Sequence, residues 1–211
     1  MKGILSLLRA KTTAHKPSEE SGDSVFFTTA FAGQGVDDSL LVPWEARAVE
    51  IGAKRLPTSR GGKLLQALWS KDKYMAHLDK DAVERMERFF EFAAIAPSRD
   101  VIRQDEYGNF MVVLLTGTIA VDRVQPWGEH LRLAETRPGD ILGEMSLLDS
   151  GIRFSACTTL TDCEIAVLSA EAMDDMMTKD PQLAASLIAL LARKLSLRLR
   201  VVSARLSDNQ K

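Results

Sequence analysis

The hydrophobic period of this chain switches twice, and that switch constrains its fold more than any single residue does. In residues 78–96, LDKDAVERMERFFEFAAIA, the side chains Val83, Met86, Phe89, Phe90 and Ala93 recur at helical spacing and form one apolar stripe. Asp79 suits the N-cap, Asp81 and Glu84 favour the positive end of a helix, and Pro97 stops the pattern. The spacing predicts a helix up to Pro97. From there to Ser169 the period falls to two. The runs VIRQ, FMVVLLTGTIAVDRV, HLRLAET, DILGEMSL and RFSACTTLTDCEIAVLS are separated by turn signals such as Tyr107-Gly108-Asn109, Pro126-Trp127-Gly128 and Pro138-Gly139-Asp140. Short strands at this spacing predict a β-sandwich or small barrel over about 97–169. Helical spacing then returns: a short helix precedes Pro181, and a long one runs from about 181 to 206.

The long helix carries Leu183, Leu187, Leu190, Leu191, Leu195, Leu199, Val202 and Leu206, which cover more than one face. A helix apolar on more than one side buries against more than one surface. One face suits its own barrel and the other a second copy, giving a parallel helical homodimer; the alternative is a helix folded wholly onto its own domain.

Residues 1–60 show no sustained period. KPSEESGDS reads as a polar linker, and the region as a largely irregular extension. Its apolar patches, Val25-Phe26-Phe27 and Leu40-Leu41-Val42-Pro43-Trp44, exceed what a spacer needs. They suit docking on the domain or a partner-binding motif, with plain disorder as the third option. ILSLL near the start is too short for a secretory signal, although it could lie on a membrane surface as an amphipathic helix. No apolar run approaches the roughly 18–20 residues of a membrane span. The 211 residues thus divide into an extension, 1–60, a domain, 61–206, and a tail, 207–211. Net charge is −2, which gives no global pull toward nucleic acid. Cys157 and Cys163 alternate with apolar neighbours and read as reduced core thiols, which points to the cytoplasm.

Catalytic signatures are missing from the sequence. His15, His77 and His130 are far apart and form no metal-ligand set, and TSRGGK lacks the length and preceding strand of a phosphate-binding loop. The concentrated chemistry lies in GEMSLLDSGIRFSAC, residues 143–157. Glu144 and Arg153 stand nine residues apart, with small and apolar residues between. GEMSLL suits a short helical turn, and Gly143 permits close backbone approach. A guanidinium matches phosphate oxygens, and a carboxylate accepts from a sugar hydroxyl. A ligand carrying both groups would use both charges. Otherwise the two charges simply pair with each other.

This stretch resembles the phosphate-binding cassette of the cyclic nucleotide-binding domain family. The family form is Gly-Glu-(Leu/Met/Ile)-Ala-Leu, then, after variable residues, Pro-Arg-(Ala/Ser)-Ala-(Thr/Ser). Here it is Gly143-Glu144-Met145-Ser146-Leu147 and Ile152-Arg153-Phe154-Ser155-Ala156. The preceding RPGDILGE and the stretch VIRQDEYGNFMVVLLTGTIAV extend the likeness to about residues 72–206. The resemblance implies a mainly β fold with flanking helices: a double-stranded β-helix (jelly-roll) barrel, N-terminal helices and a long C-terminal helix. It implies that Glu144 holds a ribose 2′-hydroxyl and Arg153 a cyclic phosphate. Gly143, Met145, Ser155 and Ala156 would complete the site, with Arg193, Lys194 or Arg198 capping the base. Ile152 replaces the family's Pro, Phe154 is bulky, and Ser155-Ala156 inverts the usual order; the lost hydroxyl at 156 favours cAMP over cGMP. The implied function is non-enzymatic: a bacterial-type cAMP receptor signalling to a protein effector, without a helix-turn-helix domain. The alternatives are a degenerate cassette serving protein interaction, a cyclic dinucleotide site, and a transcription regulator.

Overall fold

The computed structural model describes residues 25–73, 75 and 78–208. Two antiparallel sheets lie face to face, with helices covering the outer face of one of them. The first sheet has the order β1 (Lys54–Arg55), β2 (Glu91–Ile95), β9 (Cys163–Ser169), β4 (Phe110–Thr116), β7 (Ile141–Leu142). The second has the order β3 (Asp100–Ile102), β8 (Ala156–Thr159), β5 (Ile119–Val124), β6 (His130–Glu135). This is the expected mainly β barrel with flanking helices.

Strand β4 shows why its sequence is an unbroken apolar run. Met111, Val113 and Leu115 point toward the helices, while Phe110, Val112 and Leu114 point into the space between the sheets. A strand covered on both faces has no reason to alternate with polar residues. At the far edge of the second sheet, β6 is exposed along its whole length. Cys157 and Cys163 are buried free thiols in the inter-sheet core.

The helical layer consists of α1 (Phe26–Gly33), α3 (Thr58–Trp69), α4 (Lys80–Glu87), α6 (Ala170–Lys179) and α7 (Pro181–Asp208). Leu183, Leu187, Leu190 and Leu191 bury the first half of α7 against the first sheet's outer core, whereas Leu199, Val202 and Leu206 are exposed. Among the described residues, no helix is long and apolar enough to cross a membrane.

Two expectations change. The helix expected up to Pro97 ends at Glu87, and residues 91–95 are strand. Five consecutive residues there pair with β9, placing Phe92 among the helices and Ala93 and Ile95 between the sheets. Apolar residues at both positions of a two-faced strand also satisfy a helical template, so periodicity alone misassigns them. The barrel therefore starts before 97. The second change concerns residues 25–60, which are not irregular. They form α1, a 3-10 turn (Asp38–Leu40), α2 (Trp44–Ile51), β1 and the start of α3, so α3 crosses the expected boundary at 61. Gly61 reads as a loop signal, yet it lets α3 lie against Phe92: a Cβ there would fall 2.3 Å from that ring. Asp174 of α6 pins the start of α1, accepting from the Phe27 and Thr28 amides at 2.8 and 2.9 Å and from the Thr28 hydroxyl at 2.9 Å. Phe27 and Phe31 are buried. The candidate membrane-lying helix near the N-terminus, His15 and His77 fall outside the described residues; α7 reaches Asp208, so only 209–211 of the expected tail do.

Candidate functional site

The cassette begins where β7 gives way to a left-handed residue. Gly143 has φ 74°, and a Cβ there would sit 2.6 Å from Arg153 Nη1 and 2.8 Å from Ile102 Cδ1. Glycine is required by both the dihedral and the close approach. The short helix α5 (Glu144–Asp149) follows, with Leu147 and Ser146 turned inward and Met145 half exposed.

Arg153 is only 3% exposed. Its Nη1 donates to the Gly143 carbonyl at 2.8 Å and its Nη2 to the Phe110 carbonyl at 2.7 Å, and the guanidinium lies 4.7 Å from the centre of the Phe110 ring. The backbone is held as firmly: Arg153 N–H donates to Glu106 O at 2.8 Å, and Asp105 N–H to Arg153 O at 2.9 Å. Burial pulls the guanidinium down to about 10, which still leaves it charged at neutral pH.

Glu144 is equally buried, at 3%. Its carboxylate accepts from Arg198 Nη1, while Nη2 of the same arginine donates to the Ile141 carbonyl at 2.8 Å. Burial raises the Glu144 pKa, and Arg198 opposes that rise, with smaller help from Arg153 and Lys194. No ion pair joins Glu144 to Arg153. The two charges share a cassette, but each is satisfied by a different part of the protein.

Of the three basic candidates on α7, Arg198 reaches the cassette directly. Lys194, one turn earlier, reaches the Gly139 carbonyl and Asp72, both at 3.4 Å. Arg193 is exposed. Lys194 and Arg198 continue the line of Leu183, Leu187, Leu190 and Leu191 along one face. The face is apolar where it crosses helices and sheet, and basic where it crosses the β7 carbonyls. Ser155 and Ala156 are half buried, and Ala156 opens β8 opposite Asp122. The neighbouring Cys157 thiol is pushed up to about 12 by burial and stays protonated.

Three residues that sequence analysis did not assign to the site also converge here, Trp44 among them from a patch read as suited to docking or to a partner motif. Arg123 of β5 stacks 4.1 Å from the Phe154 ring centre and donates to the Phe154 carbonyl. Its place two residues beyond Val121 in the alternation of IAVDRV was the signal available in the sequence. Trp44 and Arg47, one turn apart on α2, are both buried. Trp44 meets the Phe110 ring edge-on with centroids 5.6 Å apart, and Arg47 pairs with Glu106 and Glu50. The Pro43-Trp44 start of a helical pattern was the signal there.

Residues 94–180 match the model of the cyclic nucleotide-binding domain family, which takes in the whole cassette. A 95-residue stretch is 28% identical to the CRP-like cAMP-activated global transcriptional regulator of Mycobacterium tuberculosis, covering 45% of this chain and 42% of that protein. A 107-residue stretch is 30% identical to the cyclic AMP receptor protein of Thermus thermophilus, covering 51% and 50%. The chain thus spans about half the length of the curated relatives it matches. Among solved structures, a cyclic nucleotide-binding domain from Methylobacillus flagellatus superimposes with a TM-score of 0.67 at 21% identity, over 72% of this chain and 86% of that one. The catabolite activator protein of Thermus thermophilus gives 0.54 at 28% identity, over 62% of each. The two-sheet barrel therefore has the fold of those domains, and residues 94–180 match the family's model.

Proposed function

We propose, from the cyclic nucleotide-binding domain that residues 94–180 carry, that this protein is a non-enzymatic receptor for cAMP that reports occupancy through α7 to a protein effector. One observation carries this reading. Glu144 and Arg153 are both buried in one cassette and do not neutralise each other. Glu144 leans on an exposed arginine and Arg153 on main-chain carbonyls, so neither charge is used up by the other, and such an arrangement suits a ligand that has one group for each. In a cyclic nucleotide the phosphate suits Arg153 and the ribose hydroxyl suits Glu144. Arg198, which holds Glu144, is then the group that the sugar displaces or joins. Binding is coupled to the position of α7 through a side chain that is 47% exposed. The family is regulatory in character, and the curated relatives' names describe cAMP-responsive regulators.

A second reading has its own support. Arg153 already donates to the Phe110 and Gly143 carbonyls, and the cassette departs from the family form at Ile152 and Phe154. A domain that kept the barrel and used it only as a protein-interaction module would show the same contacts. Isothermal titration of the protein with cAMP, cGMP and a cyclic dinucleotide separates the readings. Saturable heat with cAMP, weaker with cGMP, is the expected result. Flat titrations with all three would replace the receptor with the interaction module, and a response to the dinucleotide alone would reassign the ligand.

A further inference from the structure

The segment that precedes the domain grips the phosphate side of the cassette from behind. Leu41 bridges Tyr107, and Val42 N–H donates to the Tyr107 carbonyl at 2.9 Å. Arg47 holds the Glu106 side chain, and Trp44 packs against Phe110. These are the residues that support Arg153. Glu106 O takes its backbone amide, and Phe110 supplies both the carbonyl and the ring that hold its guanidinium. On each flank a single residue separates α2 from Arg153.

Arg47 is poorly explained as a stabiliser. Its side chain is 2% exposed, and its Nε is buried without a partner. A buried guanidinium with an unmet donor stabilises a fold less well than a hydrophobe of the same shape, and such groups are best attested where they fix one arrangement among several. The arrangement available here is that of the loop between β3 and β4.

Resting on the reading above that Arg153 takes the cyclic phosphate, we infer that Arg47 is a positioning residue for Arg153, acting through Glu106. Residues 41–47 then belong to the binding machinery, although they lie outside the stretch that the family model matches. Arg47 fixes the loop at Glu106. Removing Arg47 frees Glu106 and with it the backbone that aims Arg153.

The test uses the full chain. Arg47→Met keeps the length of the side chain without leaving a buried charge, and Glu106→Gln keeps an acceptor while removing the ionic hold. Each is expected to weaken cAMP binding about tenfold, the double variant no further than the weaker single, because both break one route. Thermal unfolding of the ligand-free variants stays cooperative. Glu50→Gln, which removes the other partner of Arg47, leaves affinity unchanged. Hydrogen exchange without ligand reads the same coupling: peptides over 103–110 and 150–156 exchange faster in Arg47→Met, and those of β2 and β9 do not. Unchanged affinity together with unchanged exchange overturns the inference. So does a Glu50→Gln loss as large as that of Glu106→Gln, which would mark general loosening. Should the unsubstituted protein bind no cyclic nucleotide, the receptor reading falls, and the exchange experiment still decides whether Arg47 positions Arg153.

Discussion

Both ends of the described chain reach the same cassette, and they hold it differently. The N-terminal segment touches the Arg153 half, proposed above for the phosphate, with buried groups: Trp44 on Phe110, and Arg47 on Glu106. The C-terminal helix touches the Glu144 half, proposed above for the sugar, mainly with Arg198, from a stretch whose apolar residues Leu199, Val202 and Leu206 face outward. Burial makes a contact expensive to break, and exposure makes it cheap. The phosphate half is therefore the fixed part of the site, and the sugar half is the part that can move with α7.

The largest effect expected from this contrast is at Arg153. Arg153→Ala removes the buried guanidinium that donates to the Phe110 and Gly143 carbonyls. Calorimetry is expected to show cAMP affinity falling by about a thousandfold, roughly 4 kcal/mol, with circular dichroism unchanged. A loss below tenfold would mean that the fixed half is not where the ligand is anchored.

Next is the difference in stability between the two ends. Trp44→Ala opens a cavity beside Phe110 and is expected to cost about 3 kcal/mol in denaturant unfolding. Leu199→Ala, at a side chain 66% exposed, is expected to fall within about 0.5 kcal/mol. Should Leu199→Ala cost as much as Trp44→Ala, and the more so at higher protein concentration, a second copy covers α7. The outer half of the helix would then be as fixed as the N-terminal segment, which is the outcome that breaks the comparison.

The fixed half was also the half that sequence revealed more readily. Gly143, Glu144 and Arg153 sit at a spacing that resembles the family's cassette, and the period-two runs locate the barrel around them. What holds those residues was hidden, for reasons that differ. Arg47 and Trp44 are brought to the supports of Arg153 across 59 positions to Glu106 and 66 to Phe110, and no local pattern encodes such a contact. Residues 91–95 satisfied two templates at once, because a strand buried on both faces leaves no polar alternation to read. Arg198 was one of three equivalent basic residues, and only the packing of Leu187 and Leu191 decides which of them faces Glu144.

A smaller effect is expected at Arg198 itself. Arg198→Ala removes the exposed partner of the buried Glu144, which can take up a proton in its place, so the change in stability is expected to be about 1–2 kcal/mol by thermal unfolding. The cAMP response changes more: the helix loses its hold on the sugar half, and any ligand-dependent protection of residues 190–206 in hydrogen exchange is expected to vanish. Protection that survives would show α7 is coupled through Lys194 or through the hydrophobic contacts instead.

The finest test is the pH dependence of Glu144. Burial raises its pKa above the ordinary 4.5, and Arg198 only partly offsets that. Between 4.5 and the raised value, the folded state keeps a proton that the unfolded state has already lost, so stability falls as pH rises through this window. Compared with Glu144→Gln, the unsubstituted protein is therefore expected to lose stability on going from pH 4.5 upward, then run parallel once the carboxyl is ionised. Affinity for cAMP is expected to rise over the same window, since the ionised carboxylate is the better acceptor for a ribose hydroxyl. Opposite slopes in the two measurements mark a carboxylate held in readiness for a ligand. A stability difference of the reverse sign would mean that Arg198 holds Glu144 below its ordinary range, making the helix contact a fixed one like that of Arg47.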